Sequence, residues 1–359
     1  MRKRIPLFIL FGLGAIRAQA QAAPGAKQTV LPPAEAKAVA TCLDIIRGCQ
    51  LPDGAFVQVN HGGAPEAPVW IAPYFVDYAA IALLAEYKRT KRLSDLASVG
   101  KWLAWCAMNQ ADDGYWNDYE GTVAVYKNNG KVDAWDSSAA LFLLVAGKYQ
   151  QAGGKVTPRI VTAARKALRC IETVSDRDGL TWATPTYKVK FLMDNVEVYA
   201  GLQAASELFA AAGEKAEAGK ASAQADRIRK KLPGYWRPAD RLFAYALHPN
   251  GIFEGGLDKA YPQGLAQLFG CAFIAPKPEA WAAVKKFPPD GGPSAALGAE
   301  RWLTAAARFG GDDAREWRAK TAAEAAGFTP LNVYIYRPAV TALALLEGAD
   351  WMPNIAGAK

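Results

Sequence analysis

The chain has 359 residues, of which 51% are hydrophobic and 21% are charged, and its formal net charge is +8. This apolar content can bury a large core and excludes a disordered protein. A net positive charge of this size is compatible with an acidic partner such as a nucleic acid. Whether it indicates one depends on where the basic residues lie in the chain.

The first predicted element is a secretory signal peptide. Residues 2–4 are basic, residues 5–16 are apolar, and two small-x-small cleavage sites follow, the second ending at Ala22. The apolar run is too short to span a membrane. We therefore predict that residues 1–22 are removed on export to the periplasm or the cell exterior, and that residues 23–359 form a single domain.

Removal of this segment changes the charge argument. It takes away four basic residues and no acidic ones, so the net charge falls from +8 to +4. The remaining lysines and arginines are dispersed over predicted outer helices, so we expect a solvated surface and no nucleic-acid partner. No later run reaches the about 18 continuous apolar residues of a membrane span, so we expect no span in the mature chain.

An internal repeat organises the rest of the chain. QLPDGAF at Gln50–Phe56 recurs as QADDGYW at Gln110–Trp116 and as SDRDGLTW at Ser175–Trp182, with a weaker copy, RPADRLFAY, at Arg237–Tyr245. Each copy follows one helical run and precedes a loop and a second helical run. This period of about 60 residues predicts a series of helical hairpins.

The second helix of each hairpin is predicted to lie in an inner ring. Six such helices are expected to begin near Tyr74, Asp136, Asp194, Tyr261, Ser294 and Tyr336. The helices that begin at Asp136 and Asp194 are apolar around most of their circumference, as helices buried on several sides must be, whereas residues 214–231 are polar and suit an outer helix. We therefore predict an all-α fold, an (α/α)6 toroid of six antiparallel helical hairpins.

The long connections from outer to inner helices would all emerge on one face of this toroid, where function is expected. They are rich in aromatic and acidic side chains. Sugar rings stack on aromatic rings, and their hydroxyl groups bond to carboxylates and amides, so this composition indicates a carbohydrate partner. The predicted substrate-binding residues are Trp116, Tyr119, Trp135, Trp182, Tyr187, Asn195, Asp258, Tyr261, Tyr336 and Arg337.

Glycoside hydrolysis needs two carboxyl groups on either side of the cleaved bond. Asp136 and Asp194 begin adjacent inner helices, and helix N-termini favour ionised carboxylates, which suits a base or a sugar anchor. We expect the proton donor to be Glu120 or Glu254, on loops beside aromatic residues where desolvation would raise its pKa. These four residues are the predicted catalytic set.

Two other functions stay open. A polysaccharide lyase needs a base and a group that neutralises the carboxylate of a uronate, and these could come from Asn195, Tyr187, Lys190, Arg337 and His61. A toroid without activity could instead bind glycans as an exopolysaccharide accessory protein. New ultraviolet absorbance from an unsaturated product would mark a lyase, whereas new reducing ends without it would mark a hydrolase.

Metal and redox chemistry have little support in the sequence. The chain has two histidines and no HExxH or CxxC motif, so a zinc site is not expected, and no P-loop or G-x-S-x-G motif is present. We expect no cofactor, no metal and a monomer, with a calcium ion on loop carboxylates left open. The five cysteines lie in apolar helical runs, so we expect buried thiols, with one bridge between helices left open.

Several segments resemble known toroidal enzymes. KWLAWCAMNQADDGYW, at Lys101–Trp116, is similar to the Q-x-x-D-G-x-W repeat found across α/α toroids, including terpene cyclases, prenyltransferase β-subunits, pectate lyases and six-hairpin glycosidases. DAWDSSAALFLL at Asp133–Leu144, LMDNVEVYAGLQAASEL at Leu192–Leu208 and AYPQGLAQLFG at Ala260–Gly270 resemble the inner-helix starts of six-hairpin glycosidases. The resemblance implies that an Asp at the head of an inner helix contacts sugar.

The sequence departs from this family at one position. Glucoamylase-like members carry a Trp-Glu general acid in the third long loop, and here Trp182 is followed by Ala183. The resemblance therefore leaves a differently arranged acid, or a site without activity, open.

Overall fold

The computed structural model describes residues 30–286 and 306–355. The chain divides into two units, Met1–Leu31 and Pro32–Lys359, and every element named below belongs to the second. Its α-helices are α1 (Pro33–Gly48), α2 (Pro73–Thr90), α3 (Leu93–Asn109), α4 (Trp135–Gln151), α5 (Pro158–Thr173), α6 (Leu192–Ala211), α7 (Lys215–Lys231), α8 (Leu265–Phe269), α9 (Pro278–Lys285), α10 (Gly311–Ala325) and α11 (Tyr336–Glu347). Wider π-helical turns, Ala260–Gly264 and Gly270–Ile274, extend α8 at both ends.

The long loops contain short β-strands. Strands β1 (Pro68–Ile71), β2 (Tyr119–Thr122) and β3 (Tyr126–Asn128) form an antiparallel sheet in that order, with Trp70 opposite Glu120. The remaining strands form two small antiparallel groups and are β4 (Lys190–Phe191), β5 (Trp236–Arg237), β6 (Leu242–Phe243), β7 (Ala246–Leu247) and β8 (Phe253–Glu254). These strands stiffen the connections without forming a separate layer.

The helices form an inner and an outer ring, and the fold is an all-α (α/α)6 toroid. Helix α4 packs against α2 and α6, α6 packs against α8, and α2 packs against α11, which makes these five the inner helices of the described chain. The inner helices are buried around most of their surface, whereas the outer helix α10 buries only three residues. Five predicted inner-helix starts are confirmed, and the sixth, at Ser294, lies outside the described residues.

The internal repeat ties each long loop to the next outer helix. In the first copy, the side-chain amide of Gln50 donates to the carbonyl oxygens of Gly54 at 3.1 Å and of Ser98 in α3 at 2.9 Å. Gln110 makes the corresponding two bonds in the second copy, to its own turn and to α5. The recurrence of this glutamine therefore has a structural cause, because in these two copies it closes a turn and attaches the turn to the outer helix of the following hairpin.

Glycine is required inside these turns. Gly54, Gly114 and Gly179 have φ angles of 102°, 94° and 95°, a region that side chains other than glycine rarely adopt. A Cβ atom at Gly114 would lie 2.2 Å from the carbonyl oxygen of Lys166 in α5. The loop backbone thus touches the outer helix directly, and only glycine allows that approach.

The core between the rings holds all five cysteines. All five are buried, which confirms the prediction of buried thiols, and they are Cys42, Cys49, Cys106, Cys170 and Cys271. Within the part of the chain that the structure describes, no helix is both long enough and apolar enough to cross a membrane.

Candidate active site

A cavity of about 240 Å³ opens at the N-terminal ends of the inner helices, and we call it the mouth cavity. Each of the five described inner helices contributes a residue from its first turns or from the segment just before it. The polar residues that line it are Tyr74, Asp133, Tyr187, Asp194, Tyr261 and Tyr336. Because the N-termini of all inner helices meet on this face, side chains far apart in sequence converge here.

Asp194 lies in the first turn of α6 and lines the mouth cavity. Burial raises the pKa of its carboxyl group well above the usual range, and the negative charges of Asp136, Glu197 and Asp133 raise it further. A raised pKa favours the protonated form of a carboxyl group, which can donate its proton to a bound molecule.

Asp133 supplies the second carboxyl group of the cavity. It lies two residues before α4, and its side chain is exposed to solvent at the rim. Desolvation by the surrounding walls raises the pKa of Asp133 above its ordinary value, and its charge acts on Asp194. Asp133 and Asp194 are the two carboxyl groups among the described residues that line the cavity.

A third carboxyl group lies one turn deeper in α6. Glu197 is fully buried, and its Oε1 accepts hydrogen bonds from the hydroxyl of Tyr74 at 3.0 Å and from that of Tyr78. Its Oε2 has no hydrogen-bond partner among the described residues. Burial raises the pKa of Glu197 to about 8. Glu197 therefore reaches the mouth cavity through Tyr74, whose ring lines it.

Asp136 lies behind the cavity wall and does not line it. It is fully buried, and its carboxylate accepts hydrogen bonds from Thr181 Oγ1 at 2.7 Å and from the Ser137 amide at 2.8 Å. Asn195 is also fully buried, and its Oδ1 accepts the amide of Thr181 at 2.8 Å. Asp136 and Asn195 together attach the third long loop to α4 and α6.

The pKa values of Asp136 and Asp194 are shifted against the direction that helix N-termini were expected to favour. Burial raises the pKa of Asp136 to about 7 and raises that of Asp194 well above the usual range. Removing a carboxylate from water costs more free energy than the helix N-terminus provides, because a helix terminus stabilises a charge by only about 0.3–2 kcal/mol.

Glu120 and Glu254 lie outside the mouth cavity. Glu120 is exposed on β2, 3.3 Å from Lys131 Nζ. Glu254 is exposed on β8, where its Oε2 lies 2.8 Å from His248 Nε2. Hydrogen bonds from Tyr245 and His248 lower the pKa of Glu254, so the expected upward shift is wrong for this residue.

Three of the predicted aromatic residues meet in the mouth cavity. Tyr187 and Tyr261 are exposed there, whereas Tyr336 is buried with its ring edge-on to Phe75 and Tyr78. Exposed tyrosine rings that line one cavity offer stacking surfaces and hydroxyl groups to a sugar.

The other predicted binding residues have structural contacts instead. Trp116 is buried and donates to the Cys106 carbonyl at 2.9 Å. Arg337 pairs with Glu324. Tyr119 is buried in the loop sheet, Trp135 stacks on Tyr115, Trp182 lies under Lys190, and Asp258 is exposed away from the cavity lining.

Sequence reasoning missed Tyr74, Phe75, Phe191 and Met193 as lining residues and did not single out Asp133. Their position in the sequence was the signal that could have found them, because most lining residues from helices lie near the start of an inner helix. Tyr74 lies in the first turn of α2, just as Tyr336 lies in the first turn of α11. Within the described residues, no group of three or more His, Cys, Asp or Glu side chains could hold a metal ion.

Comparison with known proteins supports the architecture. No family model and no curated protein matches the sequence. Solved structures do match. A point variant described as a glycosidase is 14% identical, with a TM-score of 0.55 over 89% of this chain and 98% of that one. A reducing-end xylose-releasing exo-oligoxylanase is 15% identical, with a TM-score of 0.52 over 89% and 94%.

A third match is an inactive variant of an α-1,6-mannanase of Salegentibacter sp. HEL1_6 in complex with α-1,6-mannotriose. It is 12% identical, with a TM-score of 0.55 over 88% of this chain and 99% of that one. These neighbours are six-hairpin (α/α)6 glycosidases. The chain thus has the fold of that class of enzymes, and the resemblance seen in its sequence is confirmed at the level of the fold.

Proposed function

We propose that the protein is an exported glycoside hydrolase that cleaves a polysaccharide or oligosaccharide in the mouth cavity. One observation carries this proposal: Asp133 and Asp194 line one cavity among tyrosine rings, and the pKa of each carboxyl group is raised. Two carboxyl groups around one small site are what glycoside hydrolysis needs.

The two carboxyl groups differ in the way that acid–base catalysis requires. In the proposed reaction, the half-buried Asp194 donates its proton to the glycosidic oxygen as the bond from that oxygen to the sugar breaks. The more exposed Asp133 is suited to accept a proton from the attacking water or to attack the sugar carbon itself. Asp136, which bonds to Thr181, is proposed to position the third loop without touching the sugar.

Charge argues against the lyase alternative. The described lining of the mouth cavity contains no Lys, Arg or His that could neutralise a uronate carboxylate. Lys190 is buried between Asp176 and Asp178, at 2.6 Å and 2.7 Å, and Arg337 pairs with Glu324. Lys190 and Arg337 therefore already have acidic partners, and His61, also named for a lyase, does not line the mouth cavity.

The test is release of reducing ends from a panel of manno-, xylo- and gluco-oligosaccharides. The matched structures include a mannanase with α-1,6-mannotriose, a xylose-releasing exo-oligoxylanase and a glycosidase variant in complex with glucose. Asp194→Asn should lower kcat about 10²–10⁴-fold, because it removes the general acid. Asp112→Asn, an equivalent change at an exposed ion pair, should leave kcat unchanged.

Other outcomes would contradict this proposal. Ultraviolet absorbance of an unsaturated product would establish a lyase, and glycan binding without any bond cleavage would establish an accessory protein. Activity of Asp194→Asn equal to that of the unaltered protein would remove Asp194 as the acid.

A further inference from the structure

A second concave surface, of about 400 Å³, is built from the first long loop and the segment before α11. We call it the outer groove. Two aromatic side chains dominate it, Trp70 and Tyr334, which are 38% and 48% exposed. Their rings meet edge to face, with centroids 5.8 Å apart. Large aromatic side chains held open to solvent are a common feature of surfaces that bind a ligand.

The outer groove is rigid without a ligand. Trp70 lies in β1, and every residue of that strand is paired with β2. The opposite wall is attached by the Ile335 amide, which donates to the carbonyl oxygen of Gln58 at 2.7 Å. Because both walls are fixed by the fold, a ligand would not have to order them, which favours binding.

The same two segments that form the outer groove continue into the mouth cavity. Trp70 lies four residues before Tyr74, and Tyr334 lies two residues before Tyr336, and both tyrosines line the cavity. The segments stay side by side, since the ring of Phe75 meets that of Tyr336 at 5.4 Å. A linear molecule seated in the mouth cavity could therefore extend along these segments into the outer groove.

The chemistry of the outer groove matches an uncharged sugar. Its described lining contains no Asp, Glu, Lys or Arg, and His61 is its one imidazole. Apolar walls at Val69 and Leu331 and amide groups at Gln58 and Asn332 accompany the two aromatic rings. Without a strong charge, this surface offers nothing to a uronate or a phosphate, whereas ring faces and amides suit the C–H faces and hydroxyls of a neutral sugar.

We propose that the outer groove is a second subsite, which binds an uncharged sugar unit of the same glycan whose scissile bond lies in the mouth cavity. This inference deepens the proposed function and rests on it, because the substrate is then a neutral glycan long enough to occupy both places. We expect a disaccharide in the mouth cavity to leave the outer groove empty, because Trp70 does not line that cavity.

The test compares short and long ligands. Binding of mannohexaose, xylohexaose and maltohexaose, and of the matching disaccharides, is measured by calorimetry on the Asp194→Asn protein, which prevents turnover. Adding Trp70→Ala should weaken hexasaccharide binding about tenfold and leave disaccharide binding unchanged. Tyr334→Ala should act in the same direction. Trp317→Ala, which removes a partly exposed tryptophan of the outer helix α10, should change neither.

The outcomes separate this inference from the proposed function. Equal hexasaccharide affinity in Trp70→Ala, Tyr334→Ala and the parent would overturn the subsite, even if the enzyme hydrolyses glycans. An equal loss for disaccharides and hexasaccharides, or no hexasaccharide binding at all, would also overturn it. Hexasaccharide binding that depends on Trp70, without hydrolysis by the unaltered protein, would refute the hydrolase and retain the subsite.

Discussion

At the scale of single residues, burial sets the protonation of the carboxyl groups near the mouth cavity. Glu197 is an example, since burial raises its pKa to about 8 in the folded chain. Between its unfolded pKa, near 4.3, and this value, the folded state binds a proton that the unfolded state lacks. The stabilisation is therefore complete at low pH and is lost as the pH rises through the folded pKa.

We expect Glu197→Gln to weaken the pH dependence of stability. The wild-type free energy of unfolding should fall from pH 5 to pH 8, with Glu197 contributing a slope of up to about 1.4 kcal/mol per pH unit. The variant should lose that contribution and keep those of Asp77 and Asp136, whose pKa values are raised to about 8 and about 7. Urea unfolding across this range measures the slope. Glu316→Gln, on an exposed helix surface, is the control, and identical slopes in wild type and Glu197→Gln would contradict the expectation.

At the scale of elements, the repeated turns determine how the hairpins fit together. Gly114→Ala should lower the free energy of unfolding by about 2–4 kcal/mol, because φ is 94° and the new Cβ would meet the Lys166 carbonyl oxygen at 2.2 Å. Gly213→Ala is the matched control. It has a similar φ of 81° but open space around it, so about 1 kcal/mol is expected. Similar losses in both variants, measured by denaturant unfolding, would show that contact with the outer helix contributes nothing.

The sequence predicts elements better than it predicts the candidate site. The spacing of the repeat and the apolar helices after Asp136 and Asp194 were sufficient for the toroid and for five inner-helix starts. They could not decide which acid near the start of α4 faces the cavity. Asp133 does and Asp136 does not, because the rotation of a helix start depends on the loop that packs behind it, here through Thr181. The direction in which the pKa of a carboxyl group shifts likewise depends on how deeply the folded chain buries it, and a sequence motif does not give that depth.

At the scale of the whole molecule, we propose that the chain is exported and loses residues 1–22. Mass spectrometry and N-terminal sequencing of the protein from the exported fraction of its host should find a start just after Ala20 or Ala22. The buried position of all five cysteines suits an oxidising compartment, because burial keeps their thiols from pairing at random. Protein that stays inside the cell with Met1 intact would contradict this proposal.

The attachment of each turn to the following outer helix has a consequence for evolution and for engineering. The first long loop is completed by α3, the second by α5, and Gly179 of the third lies against Arg227 of α7. Consecutive hairpins therefore share contacts across their boundary. The unit that folds together is a long loop plus the outer helix of the next hairpin, and it does not coincide with a single hairpin. A graft or deletion that respects hairpin boundaries would cut through every such unit, whereas one that starts and stops within an outer helix would carry each loop together with its support.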